Sequence, residues 1–355
     1  MQLQSKAFDL ADHYILLEKL IDEKIPPDID GLIRCYLGSQ SARITWNGCC
    51  NEFRSINRGV RQGGILSPLL FKLYINDLIN CITSLDMGCR FDVSRVNLIA
   101  YADDIVLLAE NSANLETIYR IFSSKIKDLK LRINTSKSKI MLFYCKDMKN
   151  VPISMTLDNE YFEVVKEIKY LGNIITYNLN DEPDVRSKLN SFYSSFNSYF
   201  RSFNGLYFDN FLFLFKSFCL PQYGLELWNS NNIFNRVIFR SFEVAYSNSL
   251  KRILGCPKYA SSHITADICN QFLFKHQVNV IQARYLHRIL RSSNGLFALN
   301  RTYMKNGLFF KHVCNYFHEK YSISVLENPI SAVISRVCWV QTHEPRSRFC
   351  VFFNA

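Results

Sequence analysis

Residues 96–110, VNLIAYADDIVLLAE, set two adjacent carboxylates, Asp103 and Asp104, into a run dominated by apolar residues. Taking a carboxylate out of water is costly unless cations or hydrogen bonds compensate it. Each half of the run is too short for a helix and suits a buried strand. The pattern therefore predicts a β-hairpin with the aspartates at or beside its turn. An acid pair held at a strand turn is a natural seat for Mg2+, which takes one or two protein carboxylates and completes its shell with water and substrate phosphates. Two such ions about 4 Å apart can activate an attacking oxygen and stabilise a leaving one in phosphoryl transfer. Standing alone, Asp-Asp is as often a solvated turn, so the rest of the chain has to decide.

Charge narrows the choice. Lys and Arg total 42 against 31 acidic residues, a formal +11 with a pI near 9.0, and this balance favours polyanionic partners such as nucleic acid. A hydrophobic fraction of 48% over 355 residues is enough for more than one packed unit. The most apolar stretches are interrupted by charge or too short to span a bilayer. The twelve cysteines are scattered, without a signal peptide and without C-x-x-C spacing. That pattern predicts reduced thiols in a nuclear or cytoplasmic protein, with no structural zinc and no membrane partner.

The segments around the aspartates give an α+β order. HYILLEKLIDEK (13–24) places Ile15, Leu16, Leu20 and Ile21 on nearby faces of a helix, and in IPPDIDGLIRCYL (25–37), entered through proline, Ile29, Leu32, Ile33, Tyr36 and Leu37 repeat the helical spacing. SARITWNGCCNEFRSI (41–56) changes to β-favouring residues around Asn47-Gly48, a strong hairpin signal. ILSPLLFKLYINDLINCI (65–82) returns to helical spacing, with Leu69, Leu73, Asn76 and Ile79 grouped on one face. Residues 112–130 form the next amphipathic pattern. Another begins past Pro183, carrying Val185, Leu189, Phe192, Phe196, Tyr199, Phe200 and Phe203. A domain boundary is placed at residue 180.

RGVRQGGILSPLLF (58–71) combines glycines that permit close backbone approach, a glutamine with both donor and acceptor groups, and a Ser-Pro helix entry. In isolation it is a plain glycine-rich turn. Taken together, SKAFD, HYILLEKL, GVRQGGILSPLLF, YADD, LKLRINTSKSK and IKYLG occur in the order found in the reverse transcriptases of non-LTR (LINE-type) retrotransposons, which the chain resembles over residues 5–175. LPQYGLELW (220–228) and LKRILGCPKY (250–259) extend the likeness less specifically to about residue 260.

The resemblance implies a polymerase palm, an antiparallel sheet backed by helices, over residues 1–180. A mostly helical thumb over 181–264 and a C-terminal helical region over 265–355 follow it. It implies two-metal nucleotidyl transfer on an RNA template and a DNA primer with deoxynucleoside triphosphates. Asp103 matches the Mg2+-binding aspartate and Asp104 its companion, with Tyr101 and Ala102 beside the primer end. Gln62 and Gly63 match the Gln-Gly that positions the incoming nucleotide, and Ser67 and Pro68 begin the supporting helix. Phe8 matches the bulky residue below the nucleotide sugar that disfavours a ribose hydroxyl; without the family it would be a core phenylalanine. Lys137 falls at the motif lysine that serves the triphosphate as charge partner or proton donor, or is simply a solvated lysine on a basic turn. Tyr170, Leu171 and Gly172 match the hairpin that grips the primer.

The likeness breaks at one ligand. The family places a further metal-binding aspartate six residues before the Asp of AFD, and from Asp9 that position is Leu3. Leucine offers no oxygen to a hard cation, and Asp9 lies on another part of the segment. The family's upstream fingers are also not seen before the motif. The chain is therefore expected to be inactive as written, the alternatives being a non-catalytic RNA or RNA–DNA binding remnant or a relic without a selected role.

Overall fold

A computed structural model describes residues 7–91, 94–143, 153–203, 205–220, 224–228 and 236–291, which fall into two compact units dividing at Val165/Lys166. Leu3, Tyr223 and everything beyond residue 291 lie outside the described residues.

In the first unit a single turn, α1 (Ala7–Leu10), leads into α2 (His13–Asp22) and α3 (Pro27–Gly38). The carboxylate of Asp12 caps α2 by accepting from the amides of Tyr14 at 3.0 Å and Ile15 at 3.4 Å. Four two-residue strands follow: β1 (Ser41–Ala42), β2 (Thr45–Trp46), β3 (Cys49–Cys50) and β4 (Arg54–Ser55), with β1 pairing β4 and β2 pairing β3. Asn47 and Gly48 close this ribbon with φ of 48° and 78°, the left-handed pair of a type I′ turn. Helix α4 (Ser67–Thr83) starts at Ser-Pro, as expected. One face of it is buried. Leu70, Phe71, Tyr74, Ile75, Leu78 and Ile82 are buried, whereas Leu69 is 62% exposed. Both stripes have helical spacing, and only the position of α2 and the sheet decides between them.

Beyond α4 come the hairpins β5 (Cys89–Phe91)–β6 (Ser94–Val96) and β7 (Leu98–Tyr101)–β8 (Asp104–Leu107), then α5 (Ser112–Asp128). Strand β9 (Lys139–Ile140) pairs parallel to β11 (Glu160–Val164), which also forms an antiparallel hairpin with β10 (Ser154–Leu157). One apolar cluster joins Leu16 and Leu20 of α2, Tyr74 and Leu78 of α4, Ile105 of β8 and Phe122 of α5.

The second unit opens with the hairpin β12 (Glu167–Tyr170)–β13 (Asn173–Thr176), followed by α6 (Glu182–Ser202), α7 (Phe208–Phe218), a 3-10 turn at Leu225–Leu227, α8 (Val237–Ile253), α9 (Ser262–Ile268) and α10 (Phe274–Arg291). Its core is aromatic. Phe196 and Phe215 meet edge to face at 5.8 Å, and Phe242 stacks on Phe274 at 4.2 Å. Val185, Leu189, Phe192, Phe196 and Tyr199 of α6 are buried as their spacing predicts, while Phe203, past the helix end, is 40% exposed. Among the described residues no helix is long and apolar enough to cross a membrane, and all eight cysteines are free thiols.

Candidate functional site

The acid pair sits where the alternation of strand residues puts it. In β7–β8 the cross-strand pairs are Leu98–Leu107, Ile99–Val106, Ala100–Ile105 and Tyr101–Asp104. Leu98 and Ile105 are buried and Ala100 packs on the same core, so that face of the hairpin lies on the helices. Tyr101, 65% exposed, and Asp104 share the opposite face, and Ala102 and Asp103 make the two-residue turn. Both carboxylates are half-buried, and neither makes an ion pair or side-chain hydrogen bond among the described residues. Ala102 holds φ at 53°, a left-handed value that costs a residue bearing a Cβ about 1–3 kcal/mol. The hairpin is fixed at its base by Asn97, which is buried. Its amide donates to the carbonyls of Ile82 at 2.6 Å and Leu85 at 3.2 Å, satisfying the open end of α4.

Two other motif segments are joined through their backbones. The Val60 amide donates to the Phe8 carbonyl and the Gly59 amide to the Ala11 carbonyl, each at 2.7 Å, and His13 Nε2 lies 2.7 Å from the Gly59 carbonyl oxygen. Gly59 has φ of 91°, and a Cβ there would stand 2.8 Å from Cα and O of Asp9, so this approach requires glycine. Gln62 Nε2 then reaches Asp9 Oδ1 at 3.3 Å, and the Phe8 ring stacks on Phe71 of α4 at 4.4 Å. Ser67 is buried and its hydroxyl donates to the Arg61 carbonyl, closing the loop that exposes Gln62 and Gly63.

Lys137 is exposed on a turn organised by Asn134, whose side-chain oxygen accepts from the Lys137 amide at 3.2 Å. Among the described residues no hydrogen bond or ion pair links Lys137 to the aspartates. In the second unit Leu171 and Gly172 turn the β12–β13 hairpin with φ of 46° and 83°. Behind this turn lies a buried network. Lys188 Nζ donates to both Asp184 oxygens, at 2.7 and 2.6 Å, and to Asn173 Oδ1 at 2.9 Å. Asp184 also accepts from the Ile174 amide at 2.9 Å and from Trp228 Nε1 at 2.8 Å. Among the described residues no group of three or more His, Cys, Asp or Glu side chains is placed to hold a metal ion.

Sequence reasoning overlooked a second fixture of the site. Asp12 accepts from Lys130 Nζ at 2.8 Å, and its backbone amide donates to the Tyr74 hydroxyl at 3.1 Å, which in turn donates to the Leu129 carbonyl at 2.6 Å. An Asp directly before a helical run is an N-cap signal and could have been found; its partner 118 residues away could not. The Lys130 hydrogen bond holds the Asp12 carboxyl below its ordinary value of 3.8, helped by the Ile15 and Tyr14 amides and opposed by burial. A carboxyl depressed in the folded state contributes stability that is full above its unfolded value and is lost as pH falls through its folded value. Acid unfolding below about pH 4 is therefore expected to be shallower in Lys130→Ala than in the parent, read as urea midpoints across that range. Parallel acid limbs would rule the contact out.

Residues 4–175 match the family described as reverse transcriptase (RNA-dependent DNA polymerase). The chain is 23% identical over 299 residues to the probable RNA-directed DNA polymerase from transposon BS of Drosophila melanogaster, covering 81% of this chain and 32% of that protein. It is 25% identical over 267 residues to the RNA-directed DNA polymerase from mobile element jockey of Drosophila funebris, covering 72% and 28%. Over a shorter span of 136 residues it is 33% identical to the retrovirus-related Pol polyprotein from type-1 retrotransposable element R2 of Bradysia coprophila, covering 38% and 15%. The chain thus spans about a third or less of the length of these relatives.

Proposed function

Residues 4–175 are a reverse transcriptase domain homologous to the RNA-directed DNA polymerases of non-LTR retrotransposons, and from that premise we propose that the chain binds an RNA template with a DNA primer but does not extend it as written. The observation that carries the proposal is the Asp103–Asp104 turn, two carboxylates without a protein cation among the described residues, on a hairpin anchored in the core. Reverse transcriptases work with divalent metal ions, and this turn suits one Mg2+, whose remaining positions water and phosphate oxygens would fill. A two-ion site needs a further carboxylate, and the position assigned to it by the resemblance holds Leu3. When bound, Mg2+ would supply charge stabilisation for the triphosphate.

The chain's own groups would do the positioning. Tyr101 and Ala102 stand beside the acids on the open side of the hairpin, where a primer end would lie. Gln62 and Gly63 present an exposed amide and an open backbone to the nucleotide, and Phe8, braced by Phe71, supplies the apolar surface under its sugar. Lys137 serves the triphosphate as a charge. In this reading residues 1–180 are the palm, 181–264 the thumb and 265–355 a helical region after it, and the formal +11 holds the phosphate backbones.

The test uses the full chain, a primed RNA template, deoxynucleotides and Mg2+. The parent is expected to bind with steep salt dependence and to incorporate nothing. Leu3→Asp is expected to bring incorporation to roughly 100-fold or more above the assay background, and adding Asp103→Ala to remove that gain. Extension by the parent that depends on Asp103 would show the inactive part to be wrong. Absence of both binding and incorporation in Leu3→Asp would end the polymerase reading.

A further inference from the structure

The ribbon from β1 to β4 is unusual in that it buries nothing. Every residue from Ser41 to Ser55 is exposed, including Ile44 at 72%, Trp46 at 76% and Phe53 at 65%. A two-stranded ribbon is marginal in water without a covered face, so three large apolar side chains left open on one arm call for a ligand.

The register distributes them. Trp46 pairs Cys49 and Thr45 pairs Cys50, whereas Ala42 pairs Arg54 and Ser41 pairs Ser55, so one extra residue is accommodated opposite Arg43 as a bulge. By alternation Ile44 and Trp46 share a face with Arg54. Arg43 lies on the other face, with its guanidinium 4.9 Å over the Phe53 ring. Arg43, Arg54, Arg58 and Arg61 make no ion pair among the described residues, and Glu52 is the only acidic residue between positions 40 and 61. The arm therefore offers rings and unneutralised guanidinium groups together. It also leads directly into the loop bearing Gln62.

We propose that this arm binds an unpaired nucleic-acid strand, with a base stacked on Trp46 and a phosphate held by Arg54 on the same face. Aromatic rings beside basic groups are the surface that single strands use, because every base has a π-face and every linkage a charge. A duplex hides its base faces from such rings. A protein strand would find only two-residue edges interrupted by a bulge and arginines, which suits pairing poorly. The inference rests on the polymerase reading in one respect, namely that the strand it takes is the template ahead of the primer. Binding itself does not require turnover.

The experiment measures fluorescence anisotropy of the full chain with a single-stranded RNA, a single-stranded DNA of the same sequence and a DNA duplex. Trp46→Ala is expected to weaken single-strand binding roughly 5- to 150-fold, with duplex binding changed less and Trp46→Phe restoring most of the loss. Arg54→Ala is expected to reduce the slope of log affinity against log salt by about 0.7. Tyr259→Ala, at an exposed ring elsewhere, should change nothing, and thermal melting should match the parent in all variants. RNA preferred over DNA would identify the template as the source; equal affinity would identify any unpaired strand, and either supports the arm. The proposal falls if Trp46→Ala leaves single-strand affinity intact or if duplex binding falls equally. Primer extension by Leu3→Asp is run in parallel: lost extension with the Trp46 effect intact overturns the catalytic reading alone, and the reverse result overturns the arm alone.

Discussion

Lys188→Met is expected to destabilise the second unit by about 3–5 kcal/mol, the usual cost of leaving one charge of a buried pair without its partner. Both side chains are 6% exposed, and removal of the ammonium strands an Asp184 carboxylate whose other partners are the Ile174 amide and the Trp228 indole. Asn173 Oδ1 loses the same ammonium donor. Combining Lys188→Met with Asp184→Asn should recover at least half of the loss, because a neutral amide still accepts one of those hydrogen bonds and no charge remains to be desolvated. Urea unfolding of the parent and the two variants decides it. A single-variant cost under about 1 kcal/mol would mean the pair is solvated and does not hold the hairpin. The same network explains Gly224, which has φ of 86° and would carry a Cβ straight into the Asn173 amide.

Gly59→Ala is the second large effect, with an expected cost of about 2–5 kcal/mol from a left-handed backbone combined with overpacking. The added methyl would sit 2.8 Å from the backbone of Asp9, which cannot swing aside as a side chain can. Relief requires the strand-like pairing of Gly59 and Val60 with residues 8 and 11 to open, and with it the Gln62–Asp9 contact. Gly63→Ala is the control. Its φ of 77° is similar, but nothing lies within 4 Å, so about 1 kcal/mol is expected. Equal costs in thermal unfolding would show that the close approach contributes nothing.

These two sites differ in how much the sequence disclosed. Glycine at position 59 was suggestive because the loop is rich in glycine, but which glycine faces a backbone was not visible. Asp184 and Lys188, four apart at the start of a helix, have the spacing of an exposed surface pair. They are buried because Trp228 and the β12–β13 hairpin fold over them from distant parts of the chain. The buried stripe of α4 was not legible for a related reason: its apolar residues wrap far enough around the helix to offer two stripes, and periodicity cannot choose between them.

The sequence alone determined the local elements and the chemistry they present. Alternating apolar residues around Asp103 and Asp104 made a hairpin with its acids at the turn, Asn47-Gly48 made the ribbon, and ordered motifs from Phe8 to Gly172 identified the family. Those features depend on periods of two or 3.6 residues and on turn propensity, which act over a few neighbouring positions. Only the tertiary structure decided that Asp12 meets Lys130, that Gln62 meets Asp9, that Asn97 closes α4 and that Asp184 is buried under Trp228. Each of those contacts joins residues brought together by packing of a shared core, and the free energy of that packing belongs to the whole unit rather than to any window of the chain.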